Sequence, residues 1–210
     1  MKKIVTLILA MLVAVGGEAR TIRDFFASEP GQVFMLLPKT TRLDLLDYYD
    51  NGQLVYARNN MGMGTKLIKV EDNFINIRMS DSKTVQMLLV TAKKDSVIAV
   101  IETVETPVAD SHISFYDTSW MPLPASKFFA MPTMESFVLK TVDKAKREQL
   151  LQDIVFPLIS LNFEGDDHTT LVARHGLKEF LVKDEYKPYA SSFAESLNYS
   201  LKGTKWKLNK

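Results

Sequence analysis

The sequence predicts an α+β fold: an antiparallel β-sheet with helices packed on one face, in one lobe or in two similar α/β lobes. Strand-like segments joined by short polar turns fill residues 74–117, and short connections between successive strands imply antiparallel pairing. Amphipathic helical patterns precede these segments. The same order, a helix followed by antiparallel strands, returns in the second half without a visible residue-level repeat.

The first 19 residues predict a cleaved secretory signal peptide. Lys2 and Lys3 precede an apolar run from Ile4 to Val15, and small residues stand at Gly17 and Ala19, where a signal peptidase would read them. This run is shorter than the roughly 20 residues that a membrane-spanning helix needs. We therefore expect an exported protein, periplasmic or secreted, that is not an integral membrane protein after cleavage.

Composition excludes several classes of function. The chain has no cysteine, which excludes disulfides, metal thiolates, a cysteine nucleophile and the lipid-modified cysteine of a bacterial lipoprotein. Removal of 19 of the 210 residues would leave 191, with 24 basic and 24 acidic side chains. A neutral chain of this kind has no electrostatic attraction to nucleic acid, so no nucleic-acid partner is expected.

Two helices are predicted before the first strands. Residues 21–28 place Ile22, Phe25 and Phe26 on one side, and Pro30-Gly31 ends this helix.

The second helix is predicted to begin at Thr41, which can cap it together with Asp44 three residues on. Asn51-Gly52 ends it, because both residues tolerate the left-handed conformation of a helix C-cap. Its predicted buried stripe contains Leu43, Leu45, Leu46, Tyr48 and Tyr49.

After a loop at 59–64, four strands are predicted in close order. The predicted segments are FINIRMS (74–80), TVQMLLV (84–90), SVIAVIETV (96–104) and ADSHISFYDTSW (109–120), with turns at 81–83 and 93–95. The third segment is apolar on both faces, which predicts a central strand covered on both sides.

The Pro-rich segment 121–141 is predicted to be an irregular linker between an N-terminal α+β lobe (20–120) and a C-terminal α+β lobe (142–210). The second lobe is predicted to begin with a helix at 143–153. A hairpin turning across 164–167 follows. One or two short helices around Pro188 come next, and a last hairpin turns at Gly203.

The candidate site is a weak one, on the polar face of the fourth strand. Side chains alternate along a strand, so Asp110, His112, Ser114 and Tyr116 share one face while Ser111 and Asp117 lie on the other. Ser114, His112 and Asp110 could in principle form a hydrolytic relay. No sharp turn or oxyanion donor accompanies Ser114, so an amphipathic strand with a solvated polar face explains the pattern better.

Metal and phosphate motifs are also weak. His168 and His175 are seven residues apart, so on one regular strand they would face opposite sides and could not share a metal. The cluster at 164–168 lacks the spacing of a calcium loop, and GMGTK at 62–66 lacks that of a phosphate loop. We therefore predict no metal and no cofactor, and we interpret GMGTK as a loop.

The C-terminal residues form a basic aromatic tail. It contains Trp206 with Lys202, Lys205, Lys207 and Lys210. A hairpin edge guarded by lysines explains this tail better than binding to an anionic surface.

Several segments resemble a family of exported Bacteroidales proteins of unknown function. They are RLDLLDYYDNG, NFINIRMSDSKTVQMLLV and VIAVIETVETPVADSHISFYDTSW, and SFYDTSW is the most specific. The resemblance covers most of residues 25–125. It implies an envelope or secreted location, and it carries no catalytic residues.

Three functions are compatible with these features. The first is a non-enzymatic envelope module that binds a protein or glycan partner, since no catalytic signature appears. The second is a periplasmic carrier of an apolar ligand such as a lipid, because ten methionines and 10% aromatic residues suit an adaptable pocket. The third is a hydrolase that uses His112 with Asp110. We favour the first.

Overall fold

The structure, a computed structural model, describes residues 20–53, 55–92, 96–105, 107–154 and 156–209. The predicted signal peptide (1–19) and the predicted turn at 93–95 lie outside these residues. The helices are α1 (Ile22–Ser28), α2 (Lys39–Asp50), α3 (Met134–Phe137), α4 (Lys144–Gln152), α5 (Leu177–Phe180) and α6 (Lys183–Ala190). The strands are β1 (Ala57–Arg58), β2 (Gly64–Val70), β3 (Phe74–Ser80), β4 (Lys83–Thr91), β5 (Ser96–Val104), β6 (Asp110–Tyr116), β7 (Pro122–Leu123), β8 (Ile159–Glu164), β9 (Thr170–His175), β10 (Ser196–Lys202) and β11 (Lys205–Leu208).

Strands β1 to β7 form one antiparallel sheet in which each strand pairs with the next along the chain. β5 is apolar on both faces, as predicted: Ile98 and Val100 enter one core, while Ala99 and Ile101 enter another. Both faces of the sheet are therefore covered. The predicted α+β class with an antiparallel sheet is confirmed.

Helices α1 and α2 cover the first face of the seven-stranded sheet. Phe25 and Phe26 of α1 and Leu45 of α2 are buried against apolar side chains of β3, β4 and β5. The N-terminus of α1 is fixed by the Thr21 N–H group, which donates to the Asp24 carboxylate at 2.7 Å. We call the apolar cluster between these helices and the sheet the first core.

A buried ion pair organises the connection between α1 and α2. The Glu29 carboxylate accepts hydrogen bonds from the backbone N–H groups of residues 31–33, at 2.5 to 2.9 Å. Arg42 is almost fully buried, lies 3.4 Å from Glu29 Oε2 and donates to the Leu37 carbonyl at 2.8 Å. Burial lowers the pKa of Arg42, and the Glu29 carboxylate opposes this shift. The segment after α1 is thus folded around one carboxylate.

The predicted second helix is wrong in two details. α2 begins at Lys39, directly after Pro38, rather than at Thr41. Leu43, predicted to be buried, is 46% exposed, whereas Arg42 is 2% exposed. The helix directs Arg42 inward because its guanidinium meets Glu29 and backbone carbonyls there.

Strands β8 to β11 form a second antiparallel sheet in the order β11-β10-β9-β8. Ile159, Leu161 and Phe163 of β8 are buried, and the residues between them are half-buried, which is the alternation of a strand with one face in a core. This sheet packs on the second face of the seven-stranded sheet. The two predicted hairpins, across 164–167 and at Gly203, are present.

Aromatic rings fill the space between the two sheets. The Phe115 ring of β6 stacks on Phe128 with centroids 4.8 Å apart, and Trp206 of β11 lies 6.0 Å from Phe115 and 5.6 Å from Phe163. We call this cluster the second core. It also includes Leu150 of α4 and Tyr189 of α6.

Residues 121–141, predicted to be a linker, are mostly irregular but strongly packed. β7 within this segment joins the seven-stranded sheet, and Phe128, Phe129, Met134 and Phe137 are buried in the second core. The segment therefore connects two parts that share a core. The division into an N-terminal lobe (20–120) and a C-terminal lobe (142–210) stays a prediction.

The predicted loop at GMGTK is wrong in its second half, because β2 begins at Gly64. Two features hide β2 in the sequence. Thr65 is buried although it is polar, since its hydroxyl donates to the Met79 carbonyl at 2.9 Å. A bulge between Leu67 and Lys69 interrupts the alternation of apolar and polar residues.

Within the described ranges, no helix has both the length and the apolar composition needed to cross a membrane.

We expect Glu29→Ala to lower the free energy of unfolding by about 3–5 kcal/mol, because it leaves the Arg42 charge buried without its partner. Urea unfolding of the protein beginning at Arg20 measures this. The control is Asp50→Ala, which removes a partner of Arg23 that is half exposed. That change should cost about 1 kcal/mol or less. Equal losses in the two variants would contradict a structural role for Glu29.

Candidate functional site

β6 carries the polar face singled out in the sequence. It pairs with β5 along its whole length, which places His112 opposite Glu102, Ser114 opposite Val100 and Tyr116 opposite Ile98. Asp110 and His112 are exposed, while Ser114 and Tyr116 are half-buried. The four side chains follow one another along β6, which is the last full-length strand of the sheet.

The arrangement does not form a catalytic relay. The Asp110 carboxylate accepts a hydrogen bond from the Ile159 N–H group at 3.1 Å, and so faces β8. Among the described residues, no hydrogen bond joins His112 to Asp110 or to Ser114. A histidine can activate a serine only when it is oriented by such a chain of hydrogen bonds.

Tyr116 belongs to the first core rather than to a reactive surface. Its ring packs against Trp120 with centroids 5.3 Å apart, and burial raises the pKa of its hydroxyl. Asp117 holds the turn after β6, because its carboxylate accepts from the N–H groups of Ser119 and Met121 at 2.8 and 2.9 Å. The segment SFYDTSW therefore has a structural role, as the turn that joins β6 to β7.

Ser111, on the opposite face of β6, fixes the second sheet. Its hydroxyl oxygen accepts a hydrogen bond from the Leu161 N–H group at 2.9 Å and lies 2.8 Å from the Thr103 hydroxyl. Gln86 of β4 acts in the same way, and its side-chain oxygen accepts from Phe163 N–H at 2.9 Å. Three backbone donors of edge strand β8 thus meet side chains of the seven-stranded sheet.

An open cleft of about 340 Å³ lies beside β6. Residues 111–113 form one wall, and residues 125, 126 and 129–131 form the other. Phe129 is buried in the second core, while Met131 is 43% exposed. Among the described residues that line the cleft, His112 is the one with an ionisable side chain, while the exposed Lys127 lies next to the second wall without lining it.

His168 joins the β8–β9 hairpin to the seven-stranded sheet. Its ring stacks on Phe74 with centroids 3.7 Å apart, and its Nε2 lies 2.5 Å from Glu71 Oε2. Hydrogen bonds from Lys69 and His168 hold the pKa of Glu71 below its usual range. The predicted polar turn at 164–168 is therefore anchored through its last residue.

His175 is buried elsewhere, at the end of β9. Its Nδ1 accepts from the Leu177 N–H group at 3.4 Å, and its ring contacts Phe137 and Phe193. Burial lowers its pKa, against the opposing influence of the Ala194 backbone and of nearby carboxylates.

In the part of the chain that the structure describes, no three histidine, aspartate or glutamate side chains come together as metal ligands.

An α+β protein with a seven-stranded meander, covered by helices on one face and by a second sheet on the other, is thus the class that this fold defines. The family model described as a protein of unknown function (DUF3256) matches residues 14–206. The chain belongs to that family, and the resemblance seen in the sequence is confirmed.

The structure is similar to that of a domain of an uncharacterized protein from Porphyromonas gingivalis W83. The two share 24% sequence identity, with a TM-score of 0.77, over 90% of this chain and 97% of the other. A likeness at this identity concerns the fold alone. No curated protein matches the chain.

Sequence reasoning missed Ser111 and Gln86 as structural residues. Both are polar residues at positions that alternate with core residues, Ser111 with Ile113 and Gln86 with Leu88. A polar side chain on a core-facing position needs a hydrogen-bond partner. A polar residue at a core-facing position was therefore the signal that the sequence offered, although it does not show where the hydrogen-bond partner lies.

We expect Ser111→Ala to lower the free energy of unfolding by about 1–3 kcal/mol, since the Leu161 N–H group would be buried without an acceptor. Ser114→Ala, on the other face of the same strand, is the matched control. Its hydroxyl accepts no hydrogen bond from β8, so its effect should be smaller. Denaturant unfolding of both variants measures the difference, and equal effects would contradict the contact.

We expect stability to fall on acidification, in part through His175. Because burial lowers its folded-state pKa, the unfolded chain takes up the proton first, near the ordinary imidazole pKa of about 6.5. The contribution of neutral His175 is complete above that pKa and is lost as the pH falls toward the depressed folded-state pKa.

The unfolding free energy measured between about pH 7 and pH 5 tests this. His175→Gln should flatten its decline with falling pH, because the variant has no buried imidazole at this position. Parallel declines in the variant and the unchanged protein would show that His175 does not contribute.

Proposed function

We propose that this protein is an exported, non-enzymatic binding module and that its binding surface is β6 with the cleft beside it. The observation that carries this proposal is the cleft between residues 111–113 and 125–131, next to the exposed His112. Its walls offer small and apolar contacts with little charge. Surfaces of this kind suit a partner that is recognised by shape and by backbone contacts rather than by charge.

Export is part of the proposal and rests on the N-terminal sequence. The positive residues, the short apolar run and the small residues at 17 and 19 are the features of a cleaved signal. Without cysteine, the mature protein depends on packing for its stability, and two large apolar cores supply that packing.

Binding at the surface is favoured over carriage of an apolar ligand inside the protein. A lipid carrier needs a concave apolar cavity that encloses most of its ligand. The space between the two sheets is occupied by the stacked rings of Phe115 and Phe128 and by Trp206. An interior filled in this way leaves the outer edge of β6 as the better contact surface.

We expect a photoreactive benzoylphenylalanine at position 126, in the cleft wall, to form an ultraviolet-dependent adduct in cells of the source bacterium. Position 191, an exposed serine at the end of α6, is the matched control and should form none. The mass of the adduct would identify a protein or glycan partner.

Equal labelling at both positions, or no adduct at position 126, would contradict the proposed surface. N-terminal sequencing of the protein from the cell envelope checks export, and we expect it to begin at Arg20. An apolar mass retained by the isolated protein in native mass spectrometry would instead favour the carrier.

A further inference from the structure

The hydrogen-bonding direction of each β6 residue follows from two contacts at its neighbours. The Glu105 N–H group, one residue past β5, donates to the Ser82 carbonyl. The odd-numbered residues of β5 therefore bond to β4, and the even-numbered residues bond to β6. The Asp117 N–H group donates to the Met121 carbonyl on the opposite side of β6. Because these directions alternate along a strand, the odd-numbered residues of β6 present their N–H and C=O groups away from β5.

β7 satisfies only the end of this outer edge. It is two residues long and pairs with Phe115 and Tyr116, whereas β6 begins at Asp110. Among the described residues, no backbone hydrogen bond joins Ser111 or Ile113 to residues 125–131, which lie across the cleft. Ser111 and Ile113 both line the open cleft, and polar backbone groups at such an edge need solvent or a partner.

The outer edges of β8, β2 and β11 are protected or engaged. The edge of β8 donates to side chains of Asp110, Ser111 and Gln86. The edge of β2 has a bulge and two lysines, which are common devices against the addition of a further strand. The edge of β11 carries lysines too, and its Trp206 N–H group donates to the Phe128 carbonyl at 2.8 Å.

β6 has neither device. Its pairing with β5 is regular, without a bulge, and no lysine stands between Asp110 and Tyr116. The cleft beside it is open and is lined by small side chains at 125, 126 and 130.

We propose that the cleft binds an extended polypeptide segment, which adds to the outer edge of β6 as a short strand. This inference rests on the proposed function and names the class of partner. The occupant must offer alternating N–H and C=O groups, because those are what Ser111 and Ile113 present. From Ser111 to Ile113 the strand advances about 7 Å, so a segment of about three or four residues is engaged.

The walls define the side chains of that segment. One face of the added strand meets Met131 and the small residues of 125–130, so uncharged side chains of small or medium size fit there. The other face passes His112, where a polar side chain can be placed. A neutral segment with apolar residues at alternate positions is therefore recognised.

The test uses random eight-residue peptides displayed on phage and selected against the protein beginning at Arg20. The best peptide is then synthesised, and amide hydrogen exchange is followed by nuclear magnetic resonance. We expect the bound peptide to slow exchange of the Ser111 and Ile113 amides at least tenfold. The amides of His112 and Ser114, which face β5, should change little.

Ser126→Trp fills the cleft without altering the β6 backbone and should weaken peptide binding at least tenfold. Ser191→Trp, the same change at an exposed site far along the chain, is the matched control and should leave binding unchanged. If Ser126→Trp does not fold, Met131→Arg tests the same wall, with the same expected loss.

Several outcomes would overturn strand addition. They are failure to select any peptide, protection at β2 instead of β6, and equal binding by the cleft variants and the control. If the same amides exchange slowly in the free protein, and more slowly at higher protein concentration, the edge of β6 pairs with a second copy of this chain. Labelling at position 126 in cells, combined with failure of the peptide test, would support the proposed binding surface and contradict the extended-peptide partner.

Discussion

The junction between the two sheets depends on three backbone N–H groups of β8. An edge strand that is buried against another layer must find acceptors for the donors on its outer side, since each unsatisfied group costs about 1–3 kcal/mol. Asp110, Ser111 and Gln86 supply those acceptors from two strands of the seven-stranded sheet. The second sheet is thereby held at a defined position, and the rings of Phe115 and Trp206 can pack between the sheets.

The same requirement explains why β6 looks reactive in the sequence. Aspartate and serine beside a histidine suggest a hydrolytic relay, but aspartate and serine are also the acceptors that a docked edge strand needs. Asp110 and Ser111 accept from β8, Tyr116 packs on Trp120, and His112 remains at the exposed surface. Four polar residues of one short segment therefore have three different roles, and the roles follow from the contacts of each side chain.

Local patterns predicted most of the strands and helices, because neighbouring residues decide them. β3 to β6 follow from alternation and short polar turns, and both later hairpins follow from their turn residues. The predictions failed where distant contacts override the pattern. Arg42 replaces Leu43 on the buried side of α2 because Glu29, 13 residues earlier, needs it, and β2 is hidden by a bulge and by the buried Thr65. The candidate face was visible in sequence, but the cleft was not, since its second wall comes from residues 125–131.

Edges of sheets are where a protein either prevents or permits further pairing. This chain seals β8 with side chains, covers part of β11 with a backbone carbonyl, and protects β2 with a bulge and lysines. β7 could have covered β6 in the same way, yet it ends after two residues, and the chain then turns away through Pro124 into a short 3₁₀ helix at Ala125–Lys127. A fold that closes the edges of β8, β11 and β2 gains nothing in stability from leaving this one open. The open edge of β6, next to a nearly uncharged cleft, is for that reason better explained by the binding of another chain than by folding.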